Sequence, residues 1–489
     1  NFSTAFSTLA RLFEKGRQGI SADSNKALSL YKKAAETGGP FEKVEFAEKR
    51  LNGLGSQADV RSGLNDLREL ADTGYDLAQM YMGDYYFSKS EPINFKSAFN
   101  WYRRASEQNY FPAMARLGAM YIRGQGTDTS IQRGLKLLKT AANNGSAWEK
   151  AMLSDELIKL GKVKEGIVWL RKNAEGKAPY WKVRLATKLL ENGPSKAEAK
   201  EAIDLLNAAA ALGYPYAFYR LAYHFDTGMG VEKSPKKAFK FYKKSAALGY
   251  KSSYGRLADL YFDGLGTDKN PKSAAKWYKK SSESGNMHAF HMLGYMYANG
   301  FGVELDRAKA NVMYETAVAG KYAPAMADYA LHQVSGLMGF NLRSSMSMLE
   351  ESITLASDMK PGTELLQIHI YGLAAKFYLH LGKFPESEKL FHKAISISKK
   401  LGEENIQQYI TLLHGYSALL QQSGRLNEAN RIINKAFELV DSSNSNVQEV
   451  KHSLRYTLAF IREAEGKINE AETIYLGLRR NLSSLLFTN

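Results

Sequence analysis

A glycine returns every 36 residues in the middle of this chain, at Gly213, Gly249 and Gly285, and each closes a run of the same design at 205–214, 241–250 and 277–286. The next marker, Gly320, follows after 35 residues, and the same step runs backward from Gly145 through Asn109 and Gly74 to Gly38. A period of this length predicts stacked helical hairpins, because one hairpin buries its apolar face only against the hairpins before and after it. At 489 residues the chain is long enough for several globular domains, and 44% apolar residues are ample for a core. An array needs no single large core, so length is no measure of domain number here.

Residues 214–249 serve as the type unit. Pro215 stands where a first helix begins, a position at which its missing N–H is unpaired anyway, and Pro112 and Pro324 repeat that entry signal. Ala217, Leu221, Ala222 and Phe225 then follow at helical spacing as a packed stripe. A small residue recurs in register as Gly83, Gly118, Ala222, Ala258, Gly294 and Ala330, where a neighbouring helix is expected to approach closely. An aromatic follows three positions later as Tyr86, Tyr121, Phe225, Tyr261 and Tyr297, expected to fill the space between hairpins. The turn reads Gly124-Gln125-Gly126, Gly228-Met229-Gly230, Gly264-Leu265-Gly266 and Gly300-Phe301-Gly302, with glycine where the chain must leave a helix in the left-handed conformation. A second helix carrying Ala238, Phe241 and Tyr242, or Ala274, Trp277 and Tyr278, faces back onto the first.

These residues resemble the Sel1-like repeat family, with its Ala-x-x-x-Leu-Gly-x-x-Tyr-x-x-Gly-x-Gly and Lys-Ala-x-x-Trp-Tyr-x-Lys-Ala patterns; 287–302 and 272–285 match closely. The resemblance covers about 1–145 and 200–345. It weakens at 56–61, which lacks the usual second-helix opening, and at 91–94, which has lost the glycine turn. Residues 146–200 keep helical patterning without the signature; 160–166 looks more like a tetratricopeptide turn, and Gly193-Pro194-Ser195 interrupts the chain. Beyond Pro361-Gly362 the period lengthens to 42 residues, with turns at Gly382-Lys383-Phe384-Pro385, Gly424-Arg425-Leu426-Asn427 and Gly466-Lys467-Ile468-Asn469 that resemble tetratricopeptide repeats. The expected fold is all-α, a right-handed α-solenoid superhelix of stacked antiparallel hairpins. Its expected blocks are Sel1-like repeats at 1–145, an irregular tetratricopeptide-like joint at 146–200, Sel1-like repeats at 201–345, and tetratricopeptide-like repeats at 346–489 ending in a capping helix at 476–486.

Chemistry-bearing motifs are sparse. The Gly-x-Gly turns lack the preceding strand of a dinucleotide fingerprint, and no Gly-Lys pair is followed by Ser or Thr as a phosphate loop requires. Glu350-Glu351 and Glu403-Glu404 read as solvated helix faces rather than as a catalytic pair. His288 and His291 put two imidazoles three positions apart on a first helix, but no third ligand stands near them in sequence, so no metal is expected. No cofactor and no enzymatic activity are expected. The chain has no cysteine, which excludes disulfides and thiol chemistry within it and tilts the compartment toward an extracytoplasmic, periplasmic one. No stretch approaches the apolar length of a membrane span, so the chain reads as soluble, and its start at Asn1 fits removal of a signal peptide or lipidated segment.

The balance of 66 basic against 50 acidic residues, a formal charge of +16, favours anionic partners. From 232 to 280 there are 13 basic and 4 acidic residues, so +9 of that excess sits in one segment. Lys236, Lys240, Lys243 and Lys244 share one face of a second helix, and Lys272, Lys276, Lys279 and Lys280 repeat the set 36 residues later. This is either a docking patch for an anionic polymer, membrane surface or acidic protein, or a solubilising face of a kind that Lys32-Lys33 and Arg103-Arg104 repeat elsewhere. The first helices are expected to line a concave groove that holds other proteins, with Tyr219, Arg220, Tyr223, Arg256, Asp259, His291, Met292 and Tyr295 as candidate binding positions. The resemblance implies a non-enzymatic scaffold, in general plan similar to periplasmic scaffolds of exopolysaccharide export, or an adaptor in signalling or host interaction. The alternative is direct binding of an acidic glycan or nucleic acid by the lysine face. Neither a small-molecule substrate nor a sequence-specific nucleic-acid partner is expected.

Overall fold

Twenty-six helices and no strand make up the regular structure among the described residues. The computed structural model describes residues 2–16, 19–54, 56–191, 193–336, 341–402, 405–442 and 448–486; Glu403-Glu404 lies outside them. From α1 to α12 and from α15 to α26 the helices pair as antiparallel hairpins, the first helix of each making its most extensive contacts with the second helix that follows it. The all-α hairpin stack expected from the periodicity is thus present.

The chain divides into two compact units, Asn1–His224 with Gly228–Glu232, and Phe225–Thr227 with Lys233–Asn489. The first contains α1 (Phe2–Lys15), α2 (Ser24–Thr37), α3 (Pro40–Leu51), α4 (Gln57–Asp72), α5 (Asp76–Ser88), α6 (Phe95–Glu107), α7 (Phe111–Arg123) and α8 (Ile131–Asn144). It continues through α9 (Ala147–Lys159), α10 (Val163–Ala174), α11 (Pro179–Leu189), α12 (Lys196–Ala211) and most of α13 (Pro215–Thr227). The second contains α14 (Pro235–Ala247), α15 (Ser252–Asp263), α16 (Pro271–Ser282), α17 (Met287–Asn299), α18 (Arg307–Ala319), α19 (Ala323–Val334) and α20 (Leu342–Ser357). Longer helices complete it: α21 (Glu364–His380), α22 (Phe384–Lys400), α23 (Ile406–Gln422), α24 (Leu426–Ser442), α25 (Gln448–Ala464) and α26 (Ile468–Leu486).

The periodic glycines do the work their spacing suggests, with one shift. Gly213, Gly249 and Gly285 have φ of 76°, 83° and 78°, and Asn109 takes the same role at φ 62°. At the next turn the left-handed residue is Lys321, φ 56°, rather than Gly320, so the step of 36 residues continues unbroken. In the Gly-x-Gly turns both glycines are left-handed, for example Gly300 and Gly302 at φ 71° and 69°. The first caps a helix, its N–H bonding Met296 O. The second meets a separate demand: a Cβ on Gly266 or Gly302 would lie 2.2 Å from the backbone of Pro235 or Pro271, at the start of the preceding second helix.

One backbone bond closes each turn. The carbonyls of Tyr121, Phe225, Tyr261 and Tyr297 accept from the N–H of Ser130, Ser234, Asn270 and Asp306 at 2.8, 2.7, 2.7 and 2.9 Å. The donor residues precede second helices, and Asn270 and Asp306 cap theirs through the side chain, each at 2.9 Å. The periodic aromatic therefore has a backbone role besides its ring, which packs between hairpins: Tyr121 meets Phe99 at 5.2 Å and Tyr261 meets Phe239 at 5.0 Å. The periodic small residue seats the second-helix side chain. A Cβ on Gly83 would lie 2.4 Å from the Tyr102 ring, and one on Gly294 3.0 Å from Tyr314.

Helix α19 is enclosed on every side, with residues 323–330 all buried. Five of those eight are Ala or Pro, which lets α17 and α21 close around it.

Gly302→Ala and Gly285→Ala separate backbone contact from conformational strain, since a Cβ at Gly285 meets nothing within 4 Å. Urea unfolding is expected to show a loss of about 1 kcal/mol for Gly285→Ala, from the left-handed conformation alone, and about 3 kcal/mol for Gly302→Ala, where the preceding helix must also shift. Equal losses would refute the backbone contact.

Candidate interaction surfaces

Successive first helices touch one another, α3 with α5, α7 with α9, α17 with α19, α19 with α21, α21 with α23 and α23 with α25, whereas successive second helices make no comparable contact. Helices that crowd lie on the inside of a bend. Within each unit the odd-numbered helices therefore form an inner wall and the even-numbered ones an outer wall.

A repeated polar tie holds the inner wall. A tyrosine buried on a second helix donates its hydroxyl to a carboxylate on the paired first helix, and a cation from the next first helix takes the same carboxylate. Tyr31 bonds Glu14 at 2.6 Å with Lys49 at 3.0 Å, and Tyr102 bonds Asp84 at 2.6 Å with Arg116 at 2.8 Å. Tyr278 bonds Asp259 at 2.7 Å, with His288 Nε2 at 2.8 Å. Arg256 grips Asp226 with two donors, at 2.7 and 3.0 Å, and reaches Asp259 at 3.5 Å. Burial, reinforced by the adjacent carboxylate, raises the phenol pKa of Tyr31, Tyr102 and Tyr278. Burial alone would strip the proton from His288; Asp259 outweighs it and raises the imidazole pKa.

Around α19 the tie changes direction. Tyr314 on α18 donates to Asp328 on the following helix at 2.7 Å, and His291 Nε2 lies 3.1 Å from the same oxygen. His332 Nε2 stands 3.7 Å from the other. Burial opposes ionisation of Asp328, but the bond and charge from His291, with His332, hold the carboxyl far below the usual range. The Nδ1 atoms of His291 and His332 meet no hydrogen-bond partner among the described residues.

The eight candidate groove positions thus have different fates. Arg256, Asp259 and His291 belong to the ties, and His291 is buried. Met292 packs half-buried with Ala258 and Tyr278, and Tyr295 lies between Phe262 and Phe301 at 6.2 and 5.7 Å. Tyr219 stacks on Tyr216 at 6.1 Å; Arg220 lies 3.3 Å from His224 Nε2 and over the Tyr223 ring. His288, joined to Asp259 and Tyr322, sits 35% exposed in an ion pair, and no group of three His, Cys, Asp or Glu suited to a metal occurs among the described residues.

The eight lysines of the basic stripe are all exposed. Lys236, Lys240, Lys243, Lys272, Lys276, Lys279 and Lys280 face no carboxylate among the described residues, for neither α14 nor α16 contains Asp or Glu. The positions that suggested a merely solubilising face differ: Lys32 pairs with Glu36, Arg103 with Glu107 and Arg104 with Asp72.

Sequence reasoning passed over an aromatic knot on α9 and α11. Trp148, 62% exposed, meets Trp181 at 5.2 Å and Tyr180 at 6.1 Å, and Tyr180 is itself 41% exposed. Tyr180 also lines a cleft of about 520 Å³ with Val183, Arg184, Lys188 and Tyr216. The pair Tyr180-Trp181 after Pro179 was the available signal, but periodicity does not reveal that Trp148 joins it. No helix among the described residues is long and apolar enough to cross a membrane.

The Sel1 repeat matches residues 9–38, 76–110, 112–146, 183–214, 215–250, 252–286 and 289–321, and the tetratricopeptide repeat matches 366–442. Among solved structures, a Sel1 repeat protein from Oxalobacter formigenes is similar at 23% identity over 61% of this chain and 88% of that one, with a TM-score of 0.42. A protective antigen of uropathogenic Escherichia coli strains with an SLR fold is similar at 22% identity over 91% of this chain and 96% of that one, TM-score 0.45.

Asp328→Asn removes the charge that His291 and His332 surround, and is expected to cost about 3 kcal/mol at neutral pH. Because the folded carboxyl is held below its unfolded value, this stabilisation is complete above about pH 4 and shrinks as pH falls further. Urea midpoints of both proteins across the acid range test it; a difference that stays constant with pH would refute the ionised tie.

Proposed function

Because this chain is built of Sel1 repeats followed by tetratricopeptide repeats, we propose that it is a non-catalytic scaffold whose inner wall holds other proteins of a cell-envelope complex together, in the manner of exopolysaccharide-export scaffolds. Repeats of this type serve as protein-interaction platforms, since stacking leaves a long face of each unit unburied. The observation that carries the reading is the exposure of Trp148 and Tyr180 on the first helices α9 and α11. Large aromatics left at a surface are the residues that dominate protein interfaces. Tyr219, Tyr223 and Met292 extend the same class of contact. An extracytoplasmic site is supported by a chain that does without cysteine.

Crosslinking in cells followed by mass spectrometry tests this reading. Crosslinked partners are expected on first helices, and Trp148→Ala with Tyr180→Ala is expected to weaken capture about tenfold or more while leaving thermal stability nearly unchanged. Crosslinks confined to second helices would refute it.

The lysine face supports a second reading, direct binding of an acidic polymer, because its lysines are exposed on two helices that contain no acidic residue. Binding of an acidic glycan is then expected to fall steeply from low to physiological salt and to vanish when Lys240, Lys243, Lys276 and Lys279 become Glu. Retention by that variant would eliminate this reading.

A further inference from the structure

All nine histidines of the chain lie at position 224 or beyond. On the inner wall of the second unit, α17, α21 and α23 carry His288, His291, His369, Lys376, His380 and His414, and their only carboxylate is Glu364 at the start of α21. Glu364 accepts from the Gly362 N–H at 3.0 Å, next to its own helix start. The acids of this region stand on the outer helices instead, as Glu350, Glu351, Glu386, Glu388, Glu428 and Glu438. Asp328 on α19 is buried and already bonded to Tyr314 and His291.

Lys376 is therefore an ammonium without a counterion. It is half-buried, its stem runs beside Gly415 on α23, and it makes no ion pair or side-chain hydrogen bond with any described residue. Surrounding protein lowers its proton affinity, a cost that Asp328 offsets only in part. His369, one helical face along from Lys376, is exposed, with its ring 6.2 Å from His291. His414, beside the Gly415 that the Lys376 stem passes, is fixed by Thr457 at 2.6 Å. A cation held on a crowded wall without its own carboxylate is stabilised by an anion supplied from outside.

Resting on the scaffold reading above, we propose that the inner wall of the second unit receives an acidic segment of a partner protein, with Lys376 pairing a partner carboxylate and His369 and His414 flanking it. Charge complementarity selects this occupant: α17, α21 and α23 together carry one unpaired ammonium, Lys376, and Glu364 as their one carboxylate, so this face favours an acidic segment over a basic one. The lysine face on α14 and α16 is a separate surface on outer helices and takes no part.

A fluorescent oligoglutamate peptide, titrated into the full chain and followed by anisotropy, tests the proposal. Binding is expected in the original protein, to weaken about tenfold or more in Lys376→Met, and to persist when Lys240, Lys243, Lys276 and Lys279 are changed to Glu. Lys376→Arg, which keeps the charge should Met disturb packing, is expected to retain binding. Undiminished binding by Lys376→Met, loss only in the lysine-face variant, or competition by a single-stranded oligonucleotide at lower concentration than oligoglutamate would each overturn it. Crosslinking Lys376→Met in cells separates this claim from the broader one: partners still held on first helices, with oligoglutamate binding unaffected, would sink the acidic-segment proposal and leave the scaffold standing.

Discussion

A phenol buried on a second helix needs an acceptor for its hydroxyl, and this requirement organises the stack. Tyr31, Tyr102 and Tyr278 are almost fully enclosed, so an unbonded hydroxyl at any of them would cost about 1–3 kcal/mol. The acceptor is a carboxylate on the facing helix, and a carboxylate in that position needs a cation in turn. Lys49, Arg116, Arg256 and His288 come from the following hairpin, so each of these hairpins is completed by the next. Apolar burial gives the stack its favourable free energy; the polar ties set which residue meets which.

Much of this architecture could be read from residue spacing, and the parts that could not share a cause. The glycine step, the Gly-x-Gly turns and the small-residue positions each answer a local demand, a left-handed φ or a close approach, that leaves a mark at fixed intervals. Gly320 shows the limit: it occupies the marker position in sequence, while Lys321 adopts the left-handed conformation. Glycine permits that conformation without compelling it, and a lysine can be held there when the packing of α18 and α19 requires it. The polar ties escaped notice because donor, acceptor and cation come from three helices, with partners fourteen to thirty-seven positions apart, and the acid changes register between Asp226, Asp259 and Asp328.

The candidate surfaces divide along the same line. Lysines on α14 and α16 follow from helical periodicity on one helix, and their exposure was foreseeable. For the inner wall, residue type was a poor guide, since Arg256, Asp259 and His291 have the character of binding residues and serve internal ties. What distinguishes Lys376 and Trp148 is a relation to neighbours: one lacks an ion-pair partner among the described residues, the other lacks cover. Such relations become visible only when distant segments are placed side by side.

The second glycine of each turn has a wider consequence. Gly126, Gly266 and Gly302 press against the backbone of Phe95, Pro235 and Pro271, in each case 31 residues upstream. That interval works like the tooth spacing of a zip: a single inserted or deleted residue between the two points would unseat the tooth, whereas adding or removing a whole hairpin would not. Lineages of this chain can accordingly change in length by entire modules and hardly at all by single codons within them.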